Sequence, residues 1–309
     1  MSLIRPLAII SFSLVALPAL PSVHCPGDVA SVTLRLVQSS LILVPVEINN
    51  SGPWEFVVDT GAQVSTIDTS LASDLKLRPE GDTGVGGAAT FARQPYTHLD
   101  ILQVGAHSLP NALTVIQNLA QLKAADPSIR GILGENFLAH FDLLIDNRQH
   151  MLCFDESSAL PSALASAVKG EHIPLAEPYG PVDAMPFTRP FVIAVRLPEF
   201  SAKPLLLRLD SGSNSPLLYS TVTLARKAGI TPPALLKRVV NGTEQSFAVL
   251  PPQELQLGKQ PPLKNLVFVT PVTSIGAGPA PREDGLLPTV ALQRVFISYE
   301  HRYVILDTW

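Results

Sequence analysis

The chain is poor in charge. Of its 309 residues 16% are Asp, Glu, Lys or Arg, against 46% hydrophobic. A chain this apolar buries enough surface to fold, so disorder along its whole length is excluded. Base is not in excess: the net charge of −4 offers no face for nucleic acid. Cysteine occurs twice, too seldom for a disulfide framework or a structural zinc site. The seven His are scattered and form no zinc-peptidase helix motif; His98 and His150 read as surface or strand residues. A Gly-x-Ser-x-Gly elbow is missing, which removes the usual serine-hydrolase arrangement. No glycine run opens a clear helix, so no phosphate cradle is expected. No metal or organic cofactor is implied.

Long apolar runs are missing too, apart from one at the start. Leu7 to Leu20 carries no charge and follows Arg5. It is short for a bilayer span and has the shape of a secretory signal. Residues 1–25 are therefore expected to be a signal peptide, cut between Ala19 and Pro26. The protein is expected to be exported, secreted or periplasmic, without stable membrane insertion afterwards. Cys25 invites a lipid anchor, although His24 before it fits poorly. A retained Cys25 would be able to pair with Cys153 in an oxidising compartment; a buried thiol at Cys153 is the simpler reading.

What the chain does have is punctuation: 29 Pro and 19 Gly break up short apolar runs. Leu41 to Ile48 and Phe191 to Leu197 read as strands, so the pattern is mainly β with short helices. The length suits two ordinary cores or one large β unit. Asn49-Asn50-Ser51 and Asn241-Gly242-Thr243 fit glycosylation triplets, which arise readily by chance.

The most informative feature is an internal repeat. Trp54 to Val58 runs into Asp59-Thr60-Gly61-Ala62. Leu205 to Leu209 runs into Asp210-Ser211-Gly212-Ser213, at an offset of 151. A short helix is expected after each turn, at Leu71 to Leu77 and at Leu224 to Ile230. Gly131-Ile132-Leu133-Gly134 precedes Asn136-Phe137-Leu138, and Gly285-Leu286-Leu287-Pro288 precedes Val290-Ala291-Leu292 at nearly the same offset. Met151 to Phe154 and Tyr303 to Leu306 close the two halves as apolar strands. The expected units are residues 31–156, a linker at 157–170 that is briefly helical, and residues 171–309.

An apolar strand that ends in Asp-Thr/Ser-Gly delivers a carboxylate from a rigid element onto a tight turn. Asp82-Thr83-Gly84 is a third such tripeptide; it lacks a preceding strand and a repeat partner, and reads as a solvated loop. Two Asp turns paired across a pseudo-twofold would place two carboxyls where both cannot ionise cheaply, so they would share one proton. The ionised member would take a proton from water, and the protonated one would donate to a carbonyl oxygen. Glycosidases also use two carboxylates, but have no need of duplicated turns.

These residues resemble the aspartic peptidases. Asp-Thr-Gly-Ala after an apolar strand, with Gly-Ile-Leu-Gly-x-Asn-Phe-Leu later, is similar to retropepsin-like domains, and the tandem arrangement resembles the two lobes of pepsin. The resemblance implies two similar six-stranded-barrel-like acid protease lobes. It implies Asp59 and Asp210 as the catalytic pair. Thr60 and Ser211 would lock the turns through hydroxyl hydrogen bonds, Gly61 and Gly212 would permit the turn geometry, and Gly134 would lie beneath the first turn. It implies a substrate-binding flap at Gly84, Val85, Gly86 and Gly87, without the flap tyrosine of pepsin-like enzymes. Val240-Asn241-Gly242-Thr243 is the counterpart in the second half.

Two departures stand out. Pro288 replaces a Gly, so support for the second turn is expected to differ. Ser213 carries a hydroxyl where the first turn has Ala62. A hydroxyl donated to Asp210 would make it the ionised member and leave the proton on Asp59. The expected function is a monomeric aspartic endopeptidase taking an extended polypeptide. The alternatives are an inactive bilobal peptide-binding protein and a retropepsin-like homodimer that uses the first half alone.

Overall fold

The computed structural model describes residues 24–86, 91–167, 171–179, 190–219, 235–240, 243–272 and 282–309. Residues 1–23 of the expected signal, the helix expected at 224–230, Gly87 of the expected flap with the three residues after it, Asn241-Gly242 and the linker end at 168–170 lie outside them.

β-branched and apolar side chains dominate the strands, and the chain is mainly β with four short α-helices among the described residues. Leu41–Ile48 and Ser51–Val58 form a hairpin through Asn49 and Asn50, both at positive φ. Asparagine tolerates that conformation in two-residue turns. Asn49 Oδ1 accepts the Ile101 N–H at 3.0 Å, so its carbonyl is engaged inside the fold. Six further strands complete an eight-stranded sheet: Arg35–Val37, Ile129–Leu133, Thr66–Asp68, His107–Gln117, Phe91–Val104 and Gly81–Gly86. Pairing of Glu47 and Ile48 with Gln103 and Leu102 curls this sheet on itself.

The second half builds a seven-stranded sheet, ordered Val192–Val195, Leu205–Asp210, Gly285–Pro288, Leu217–Leu218, Val269–Pro271, Thr243–Val249 and Leu235–Val240. Around the Asp-bearing strands the pairing directions correspond. Ser51–Val58 lies parallel to Ile129–Leu133, which is antiparallel to Thr66–Asp68, which is parallel to His107–Gln117. In the same way Leu205–Asp210 lies parallel to Gly285–Pro288, which is antiparallel to Leu217–Leu218, which is parallel to Val269–Pro271.

The strands that close each half do something composition does not announce. Asp142–Asp146 and Met151–Asp155 leave the first sheet, Arg294–Ser298 and Tyr303–Asp307 leave the second, and Leu143 pairs with Ile297. With Ser31–Val32 and Ile173–Pro174 they form one six-stranded sheet shared by both halves. The expected six-stranded units are thus corrected to sheets of eight and seven strands joined by this shared one. The reason is that Asp142–Asp146 and Met151–Asp155 are buried at every position, so both faces need cover.

One face of that sheet joins a core running through both halves, with Phe56, Phe137, Leu207 and Leu287 fully buried in it. The other face is covered by the helix Ala159–Ala167, where Leu160 and Leu164 pack on Leu144, Met151, Phe296 and Ile305. The helical reading of that segment therefore agrees. Cys25 lies in the same cluster and is disulfide-bonded to Cys153, Cα atoms 6.0 Å apart. This corrects the simpler reading of Cys153 as a thiol. Ser31 pairs with Cys153 across the sheet, and this carries the preceding turn over the helix side. No helix among the described residues is long and apolar enough to cross a membrane.

Candidate active site

Both Asp turns leave the ends of strands flanked on each side by neighbours, so their backbone is held before any side chain acts. Asp59 N–H donates to Leu133 O at 3.0 Å. Asp59 Oδ1 accepts the N–H groups of Gly61 (2.8 Å) and Ala62 (3.0 Å). Asp210 Oδ1 accepts that of Gly212 at 2.8 Å.

The two turns interlock. Thr60 Oγ1 donates to Leu209 O at 2.8 Å and accepts the Ser211 N–H at 3.0 Å. Ser211 Oγ donates to Val58 O at 2.7 Å and accepts the Thr60 N–H at 3.1 Å. Thr60 and Ser211 are fully buried, so these four bonds have no competition from water. Glycine is required by close approach: a Cβ on Gly61 would meet Asp210 Cγ at 2.6 Å, and one on Gly212 would collide with the Asp59 carboxyl. The carboxyls of Asp59 and Asp210 are hydrogen-bonded to each other.

Burial raises both carboxyl pKa values, and the charge of Asp59 pushes Asp210 well above the usual carboxylate range. At Asp59 burial is opposed by the Gly61 N–H, the bond from Asp210 and the Ala62 N–H; the Arg208 guanidinium pulls both groups down. Asp210 is thus raised further than Asp59, the reverse of the expectation from Ser213. The hydroxyl of Ser213 donates instead to Ser215 O at 3.0 Å and never reaches the carboxylate. Two backbone N–H groups reach Asp59 against one at Asp210, which favours the charge on Asp59.

Support beneath the turns also differs. Gly134 packs against the backbone of Val64 and Ser65, where a Cβ would lie 2.7 Å from Val64 C. The short helix Glu135–Leu138 then donates Glu135 N–H to Ala62 O and Asn136 N–H to Gln63 O. Asn136 Oδ1 accepts from the Ser65 backbone and hydroxyl, while its amide donates to Leu113 O. Pro288 ends its strand opposite Asp210 at φ −64, which its ring permits. There Asn147 of the first half bonds Thr289 O and Leu292 O.

Gly84, Val85 and Gly86 lie in Gly81–Gly86, the edge strand of a hairpin with Phe91–Val104. Gly87 is outside the described residues. Within the hairpin Arg93 donates to Asp82 O, and no described hydrogen bond joins it to the dyad. Asp82 is exposed on that strand, which corrects the loop reading of Asp82-Thr83-Gly84. Arg208 and Glu283, a buried ion pair beside the dyad, were not singled out from sequence. A lone charge in Leu-Leu-Leu-Arg-Leu was a signal for Arg208; Glu283 left none. Among the described residues no group of three or more His, Cys, Asp or Glu is disposed to hold a metal ion.

Comparison with known proteins bears on the first half. None of the curated proteins matches the chain. A crystal structure of a retropepsin-like aspartic protease from Rickettsia conorii aligns at 18% identity and a TM-score of 0.31, over 41% of this chain and 90% of that chain. The aspartyl protease family model matches residues 44–137, a span that holds the Asp59 turn and Gly134. Over that span, less than a third of its length, the chain is similar to the aspartic peptidase family.

Proposed function

We propose that the protein is an aspartic endopeptidase with Asp59 and Asp210 as its catalytic pair, one from each of two lobes in a single chain. The observation that carries this reading is the hydrogen-bonded pair of carboxyls, Asp210 buried and Asp59 partly so, held by reciprocal Thr60 and Ser211 bonds. Water between the carboxyls would attack the peptide carbonyl carbon. Its proton would pass to ionised Asp59 while Asp210 gives its proton to the carbonyl oxygen. Collapse of the tetrahedral species would return a proton to Asp210, and the amine would leave with the proton held by Asp59. No bond to the protein forms.

An extended polypeptide would enter between the lobes and add as a strand, with the Gly81–Gly86 hairpin as flap. The monomeric form is favoured because the partner of Asp59 comes from the same chain. Export is favoured by the disulfide, since such bonds persist in oxidising compartments. Cleavage of denatured casein, with and without a statine transition-state inhibitor, tests the reading. Inhibited cleavage that is lost in Asp59→Asn and in Asp210→Asn is the expected result. Cleavage that survives Asp210→Asn would favour the first half acting as a homodimer. No cleavage beside retained peptide binding would favour the binding protein.

A further inference from the structure

The strand that delivers Asp210 carries a charge two residues earlier, on the same face, since strand side chains alternate. Arg208 is 5% exposed and Glu283 7% exposed. Arg208 Nε and Nη2 hold Glu283 Oε1 at 3.1 and 3.0 Å, and Nη1 donates to Gly61 O at 3.1 Å. The guanidinium therefore ties the Asp210 strand to the turn that follows Asp59. At the corresponding place in the first half stands Val57, apolar and buried, so the device is one-sided. Other titratable groups act on it from several neighbouring elements. They are Glu283 from the loop before Gly285–Pro288, Glu135 from the helix Glu135–Leu138, Tyr219 beyond Leu217–Leu218, and the dyad itself. Arginine keeps its charge at any working pH, and its planar fork holds two partners at once.

We propose that Arg208, clamped by Glu283, is a positioning residue that fixes the Asp59 turn against the Asp210 strand and sets the pH window in which the pair holds a single proton. The inference rests on the dyad reading for its meaning in catalysis, but not for its measurement. Two readouts are taken: the pH dependence of casein cleavage, and the titration of ¹³C-labelled Asp carboxyls by NMR, which needs no turnover. Arg208→Gln removes the positive charge, so both limbs of the bell and both carboxyl titrations move to higher pH, on the order of one unit. Arg208→Lys keeps the charge and loses the fork; its limbs stay near those of the parent while kcat falls. Glu283→Gln leaves the guanidinium without its counter-charge, and the titrations move to lower pH.

A folded Arg208→Gln protein with unmoved titrations overturns the proposal and leaves Arg208 a structural ion pair. Where melting shows that this variant has not folded, Glu283→Gln decides by the same criterion. Failure of the dyad reading looks different: Asp59→Asn would still cleave casein, whatever the carboxyl titrations do.

Discussion

A carboxyl group in this site is defined by how many donors reach it. Asp59 has two backbone N–H groups and the proton of Asp210; Asp210 has one N–H group and a negative neighbour. Replacing either by Asn keeps the shape and removes the proton exchange, so casein cleavage falls by about 10²- to 10⁴-fold in each variant. Stability carries the same signature. The folded-state pKa of Asp210 lies above its unfolded value, so its contribution is present at low pH and is lost as pH rises through the raised pKa. Unfolding free energy from urea titrations therefore falls across that window in the parent, and the fall is flattened in Asp210→Asn. The Asp-Thr-Gly and Asp-Ser-Gly tripeptides were legible because chemistry and repeat coincide in a few adjacent residues. The assignment of the proton was not: the hydroxyl of Ser213 donates to Ser215 O, a partner that the tripeptide does not name.

At the scale of elements, the turns are held by bonds between distant segments. Ser211 Oγ donates to Val58 O and accepts the Thr60 N–H, and both turn residues are buried. Ser211→Ala leaves those two groups unpaired and lowers unfolding free energy by about 1–3 kcal/mol in urea titrations. Asn136→Ala strips the Ser65 N–H and Leu113 O together and is expected to cost a similar amount, with a loss of cleavage that Ser65→Ala shares in part. The helix read near Leu71 to Leu77 is Thr69–Asp74, ended by Lys76 at positive φ. Its start was harder to see because Asp68, which caps it, also sits at the end of a strand. Burial pushes the Asp68 carboxyl up, but the Ser70 hydroxyl, the Leu119 N–H and Lys123 outweigh this and hold it low. Asp82 misled for the opposite reason: its tripeptide has turn chemistry, yet pairing with Pro95 across the hairpin keeps it in a strand.

For the molecule as a whole, the shared six-stranded sheet and the disulfide decide how the halves are held. Cys25 and Cys153 are 128 residues apart, so the bond closes a long loop of the unfolded chain. Replacing both by Ser is expected to lower unfolding free energy by about 2–4 kcal/mol. The reduced parent should behave like that variant. A double variant as stable as the oxidised parent would count against any structural role for the bond. The N-terminal segment was read from sequence chiefly as a leader to be discarded. Cys25, the last residue of that expected leader, is tied into the fold by its bond to Cys153.

Sequence alone determined the mainly β character, the two Asp turns and the glycines that let them approach, because each depends on a run of neighbouring residues. Only the tertiary structure decided which carboxyl keeps the proton and which cysteine state holds. It alone decided the sheet that the closing strands join and the charge behind the dyad. Those outcomes depend on groups far apart in the chain, such as Arg208 with Gly61, or Leu143 with Ile297, whose distance is set by packing and leaves no local pattern to read.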